Sequence, residues 1–130
     1  MTTDAVIVAA RAAASKTSDP TIVLDVGDLL GITDAFVITS GANARQVRTI
    51  AEEVRRQVKD EMTLQLLEGG REFRCRVEGR EDSGWLLLDY GDFVVHVFSV
   101  EARSHYALER LWADARRIEW AQDVCEGVGS

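Results

Sequence analysis

The chain has 130 residues, room for one domain, which excludes a two-domain enzyme. With 46% apolar residues it can hide about two-thirds of its unfolded surface, enough for a core without disulfides or metals. Fifteen Lys and Arg against 22 Asp and Glu give a net charge of −7, the wrong sign for a protein whose main partner is a bare phosphate backbone.

From Asp4 to Lys16 the chain is alanine-rich, and Ala5, Val8, Ala9, Ala12 and Ala13 recur at three- and four-residue steps that predict a first helix. Pro20, the only proline, breaks it. Thr21 to Val26 is short, β-branched and apolar on both sides apart from Asp25, as a strand covered on both faces would be. A turn-rich stretch at Gly27, Asp28 and Gly31 leads to a second strand, Ala35 to Ser40.

Asn43 is a good helix cap, and Val47, Ile50, Ala51, Val54 and Val58 follow on one helical stripe with charges between them. Met62 to Leu67 either prolongs this helix or begins a strand, and Gly69-Gly70 ends it. Phe73, Cys75 and Val77 alternate with Glu72, Arg74, Arg76 and Glu78, the period of a strand with one wet face. A turn at Gly79 to Gly84 precedes two strands, Trp85 to Tyr90 and Phe93 to Ser99, joined by a tight hairpin at Gly91-Asp92. A last helix is expected from about Arg103, with Leu108, Leu111, Trp112 and Ala115 on its apolar stripe, and a flexible tail after Trp120. The order α-β-β-α-β-β-β-α predicts a mixed sheet flanked by helices, of the α/β or α+β class, in a single domain over residues 1–120.

Chemistry is sparse. Asp25, Asp34, Asp89 and Asp92 are the only aspartates near strands that could hold Mg²⁺ for nucleotidyl transfer, and turn or cap roles suit them better. His96, mid-strand between valines, and His105, opening the last helix, lack a nucleophile at catalytic spacing and read as core or edge histidines with a satisfied hydrogen bond. Ser40-Gly41 before a helix is a weak phosphate-loop signal that serves equally well as a turn. Cys75 and Cys125 offer neither metal spacing nor a disulfide framework. No segment is long and apolar enough for a membrane span and no signal peptide is evident, so a cytoplasmic protein is expected. The final third is rich in aromatics, with Trp85, Tyr90, Phe93, Phe98, Tyr106 and Trp112; most should be core, whereas Trp85 follows a polar turn and can reach a partner. Charge is uneven too. Residues 1–40, 41–80 and 81–130 carry −3, +2 and −6, which suits a docking surface with sign-specific rims or simply a solvated exterior.

The runs Leu24 to Val26 (LDV), Ile32 to Val47 (ITDAFVITSGANARQV), Glu78-Gly79, Trp85 to Phe98 (WLLLDYGDFVVHVF) and Arg103 to Trp112 (RSHYALERLW), in this order, resemble the Iojap family of ribosomal silencing factors. The chain departs from the family at Glu61 to Arg71, several residues longer than the usual link. The resemblance implies a nucleotidyltransferase-like fold lacking the transferase metal motif, no enzymatic activity and no cofactor. It implies binding to the large ribosomal subunit through its fourteenth ribosomal protein, a block on small-subunit joining when nutrients are scarce, and a homodimer when free, with no sequence-specific nucleic-acid binding. Trp85 matches the family's contact tryptophan; Asp89, Tyr90 and Asp92 lie in the same block, and Glu78 and Arg76 are weaker contact candidates. Core packing for Tyr90 and hairpin geometry for Asp92 are equally good readings. A nucleotidyltransferase-fold enzyme acting on a nucleotide with Mg²⁺, and a dimeric scaffold, are the rival functions.

Overall fold

The structure, a computed structural model, describes residues 3–31, 33–67 and 75–120. Phe73, Cys125, the tail after Trp120 and part of the long Glu61 to Arg71 link lie outside these residues. Strands β1 (Ile22–Asp25), β2 (Ala35–Gly41), β3 (Arg76–Arg80), β4 (Trp85–Asp89), β5 (Phe93–Ser99) and β6 (Arg116–Arg117) form one sheet in the order β3-β4-β5-β2-β1-β6. Among the described residues only β2 and β5 run parallel, with Ala35 opposite Phe93 and Gly41 opposite Ser99; the other pairings are antiparallel. The expected mixed sheet with flanking helices is therefore present.

Helices cover both faces. On one lie α1 (Thr3–Ala14) and α3 (Ala44–Leu67). The five stripe residues of α3, Val47, Ile50, Ala51, Val54 and Val58, are all buried, and pack with Val37, Leu88, Phe93, Val95 and Val97 from the sheet. Ala5, Ala9, Ala12 and Ala13 of α1 are fully buried in the same core. Asn43 caps α3 by accepting the Gln46 N–H at 2.9 Å, and the helix runs through Met62 to Leu67, settling how the ambiguous segment folds. At 24 residues it is about 36 Å long, enough to carry the chain across the sheet to its far edge.

On the other face lie α4 (Val100–Tyr106) and α5 (Leu108–Leu111), whose Ala102 and Leu108, with Trp112 just past the end of α5, pack on Leu24, Phe36, Ile38 and Phe98. Covered from both sides, β2 is buried along its whole length. The hairpin closes as expected, with the Tyr90 N–H donating to the Phe93 carbonyl at 3.0 Å across Gly91-Asp92.

Several expectations need correction. The last helix begins at Val100, capped by the Ser99 hydroxyl, and breaks at Ala107, which takes the left-handed conformation (φ 49°). The break swings Leu111 out of the apolar stripe to 70% exposure. β3 runs through Gly79 to Arg80 where a turn was expected, and a 3₁₀ turn, Glu81–Ser83, follows. Its wet face is not matched by a dry one: Val77 is 42% exposed, because on this edge strand it lines only a shallow groove of about 190 Å³ with Ala51, Arg55, Leu86 and Leu88. Two elements went unforeseen, the single turn α2 (Gly27–Leu30) and β6, which extends the sheet beyond β1. After β6, the Ile118 N–H donates to the Val23 carbonyl at 2.9 Å and the Trp120 indole to the Thr21 carbonyl at 2.8 Å, fastening this segment along β1.

Candidate functional site: an aromatic docking face

Side chains alternate across a strand, and directly paired residues share a face. On β4, Trp85, Leu87 and Asp89 therefore point away from α3, and their partners Arg80, Glu78 and Arg76 on β3 point with them. Four of the six expected contact residues, Arg76, Glu78, Trp85 and Asp89, thus meet on one strip of sheet. The β3 residues are exposed and those of β4 half-buried. Opposite charges face each other at one end of the strip, Arg76 against Asp89, and an aromatic group occupies the other.

That aromatic group is layered. Trp85 sits 5.0 Å from Phe98 and 4.5 Å from Tyr106, centroid to centroid, and its indole N–H donates to His96 Nδ1 at 3.2 Å. His96 in turn meets Phe36 edge-on at 4.6 Å. Tyr106 is 47% exposed, so its ring continues the surface beside the indole.

Tyr90 does not join the strip. One residue past Asp89, it turns to the opposite face, where it is 5% exposed and stacked on Phe93 at 4.8 Å. Burial first, and the nearby Cys75 thiol second, push its phenol up, so it stays neutral. In this fold its ring is core and offers a partner no surface. Asp92 belongs to the hairpin: its carbonyl accepts the Asp34 N–H at 2.7 Å, tying β5 to the start of β2, and its side chain is half-buried. Asp89 has a second role there, accepting the Gly91 N–H at 2.8 Å.

The other candidates take structural places. Asp25 accepts the Gly27 N–H at 3.3 Å and pairs with Arg116 at 3.5 Å. Among the described residues no three His, Cys, Asp or Glu side chains gather as a metal would require. The start of α3 is closed by its own side chains, since besides the Asn43 cap the Gln46 carbonyl oxygen accepts the Ala42 N–H at 2.6 Å. Ser40 is buried and donates to Asp19 at 2.8 Å while accepting from Arg103 at 3.0 Å. Arg103 also donates to the Pro20 carbonyl at 2.6 Å and grips Glu109 through two bonds of 3.0 and 3.1 Å. This network pins α4 and α5 to the sheet, which holds Tyr106 over Trp85. His105 lies in the last turn of α4 rather than near the start of a helix, exposed and edge-on to Tyr106. Cys75 is half-buried against the first core.

A family model described as ribosomal silencing factor during starvation matches residues 1–127. The chain belongs to that family. It is 37% identical over 108 residues to the ribosomal silencing factor RsfS of Bacillus subtilis, covering 83% of this chain and 84% of that one. The RsfS of Halalkalibacterium halodurans is 35% identical over 111 residues, with 85% and 87% covered. A mouse protein named for mitochondrial assembly of the ribosomal large subunit is 30% identical over 96 residues, which is 69% of this chain and 37% of that protein. In shape the molecule is similar to crystal structures of a Chromobacterium violaceum protein (TM-score 0.71, 28% identity, 87% of each chain) and of a Bacillus halodurans protein (TM-score 0.67, 31% identity, 90% of this chain and 98% of that one).

For this family member the part of the strip that residue patterns left unnoticed is His96, read as an ordinary strand histidine. A histidine flanked by valines carries no local mark; its pairing with Trp85 comes from the β4-β5 register, which sets His96 opposite Leu87. Burial pushes its pKa from 6.5 down to about 4. The unfolded chain takes up a proton at this site below about pH 6.5, whereas the folded protein resists until about pH 4, so stability is complete above 6.5 and declines as pH falls between the two. The full loss is about 3 kcal/mol. Thermal melts are expected to show a midpoint that falls between pH 6.5 and 5, with a shallower fall in His96→Phe; equal slopes in the two proteins would contradict this assignment.

Proposed function

We propose that this protein represses translation by docking on the large ribosomal subunit, through its fourteenth ribosomal protein, and standing where the small subunit must join. Membership of the ribosomal silencing factor family supports the reading. The observation that carries it is the strip of Trp85, Tyr106, Arg76, Glu78 and Asp89, aromatic at one end and carrying charges of both signs along the rest, on a sheet face that α4 and α5 cover only in part. Such a patch suits a protein partner: a large amphipathic ring buries much area with few rotamers to freeze, and the charged part fixes orientation.

The action is steric. A folded body at the subunit interface excludes the other subunit for as long as it stays bound, with no bond made or broken, no cofactor and no metal. Affinity and concentration then set the degree of repression. The net charge of −7 repels ribosomal RNA phosphates and keeps the protein from coating RNA indiscriminately. The working compartment is the cytoplasm, and the free form is a homodimer.

The experiment mixes purified protein with purified large subunits and pellets them through sucrose, then follows subunit joining by light scattering. Co-sedimentation and slowed joining in excess protein are expected. Joining at its usual rate with the protein demonstrably bound would overturn the steric mechanism, and failure to co-sediment would overturn the ribosomal partner.

A further inference from the structure

We propose that His96 is a positioning residue for Trp85: its buried Nδ1 holds the indole N–H and thereby fixes the ring in the orientation that the ribosomal partner meets. This rests on the docking reading of Trp85 given above.

His96 is an expensive residue for its place. It lies mid-β5, in register between Ile38 and Leu87, and is only 5% exposed. Its ring neighbours Phe36 and Phe98 are apolar, and a phenylalanine or leucine would fill the space without desolvating two nitrogens. Because Nδ1 accepts from Trp85, the proton of the neutral ring resides on Nε2. That Nε2 is buried and has no hydrogen-bond partner among the described residues. The core thus tolerates an unsatisfied donor, and the polar contact His96 makes in return is the bond to Trp85.

That bond supplies what ring packing cannot. Trp85 lies tilted by 35° on Phe98 and by 47° on Tyr106, contacts that an indole flipped about its χ2 axis would also satisfy in large part. Only one of the two flips puts Nε1 against His96. The imidazole is itself immobilised, stacked parallel to Phe98 at 6.1 Å and set edge-on to Phe36, which Trp112 of the α5 segment buttresses at 5.9 Å. Orientation therefore passes from the second core through His96 to the anchor. An anchor already in its bound rotamer loses less entropy on docking, which shows as tighter binding with no new contact to the partner.

The test compares wild type with His96→Phe, which keeps a ring and removes the acceptor, and His96→Asn, whose amide oxygen can replace Nδ1. Three readouts apply: the indole N–H resonance of Trp85, assigned by its absence in Trp85→Phe; the thermal midpoint at pH 7.5; and co-sedimentation with large subunits. In His96→Phe the indole resonance should shift toward that of a free N–H, the midpoint should hold or rise, and affinity should fall about tenfold; His96→Asn should restore most of the resonance position and the affinity. A midpoint that holds while affinity falls is the pattern a purely structural role would not give. If the phenylalanine variant fails to fold, His96→Leu takes its place. An unmoved indole resonance in the variant without an acceptor would refute the bond, and undiminished binding after the resonance has moved would refute its role. Should Trp85→Ala bind as well as wild type, the docking reading itself falls and the positioning role with it.

Discussion

Alanine at position 85 is expected to weaken binding to large ribosomal subunits about thirtyfold or more, a loss of at least about 2 kcal/mol for a buried aromatic anchor. The half-buried indole stands between Phe98, Tyr106 and the exposed charges of β3. Truncation removes the area a partner would cover and also lets Tyr106 sag into the gap. The measured loss therefore includes reorganisation of the free protein as well as the missing contact. Two controls separate these effects. Trp85→Phe keeps a ring against Phe98 and Tyr106 but lacks the indole N–H, so its affinity should lie between those of wild type and Trp85→Ala. A Leu88→Ala substitution, in the core on the opposite face, should lower the thermal midpoint while leaving the affinity of the folded fraction unchanged. Equal pelleting of wild type and Trp85→Ala across a titration of subunits would remove the indole from the docking surface.

Gly79→Ala is expected to cost about 3–4 kcal/mol of stability and to lower the thermal midpoint by roughly 10–15 °C. Gly79 lies in β3 beside Glu78 and opposite Leu86, with φ at 84°. Two costs combine. An L side chain in this backbone conformation is strained by about 1–2 kcal/mol, and a Cβ at this position would stand 2.3 Å from the Trp85 carbonyl oxygen. Backbone cannot rotate away as a side chain can, so β3 and β4 must separate beneath the proposed docking strip, and subunit binding should fall along with stability. Gly91→Ala is the informative comparison. Its φ is 85° but nothing lies within 4 Å of the added Cβ, so only the conformational strain remains. A midpoint loss as large in Gly91→Ala as in Gly79→Ala would show that close approach to β4 is not what position 79 requires.

Residue pattern alone determined the parts of this protein whose energetics are local or periodic. The α3 stripe was legible because a 3.6-residue repeat of aliphatic side chains has one way to leave water, and Asn43 was legible as its cap because the capping bond spans only three residues. The Gly91-Asp92 hairpin, the two covered faces of β1 and the existence of β2 as a strand followed from equally short-range rules. The order of motifs from Leu24 to Trp112 carried the family as well, and with it Trp85 as the residue to examine.

What only the tertiary structure decided were the choices between equally apolar alternatives. Trp85 to Leu88 is apolar at every position, so alternation could not say which parity faces α3; the packing of Leu86 and Leu88 there sends Trp85 outward and Tyr90 inward. Ala107 is an excellent helix former locally, yet the chain breaks there while Arg103 grips Glu109 beyond the break and Tyr106 and Trp112 reach separate places on the sheet. β6 is two exposed arginines, invisible as a strand until β1 offers its edge. The bond from Trp85 to His96 joins residues 11 apart on adjacent strands, set by register rather than by any local pattern. Short-range chemistry is written along the chain, whereas the sidedness of the sheet is an agreement among distant segments that exists only once they have packed.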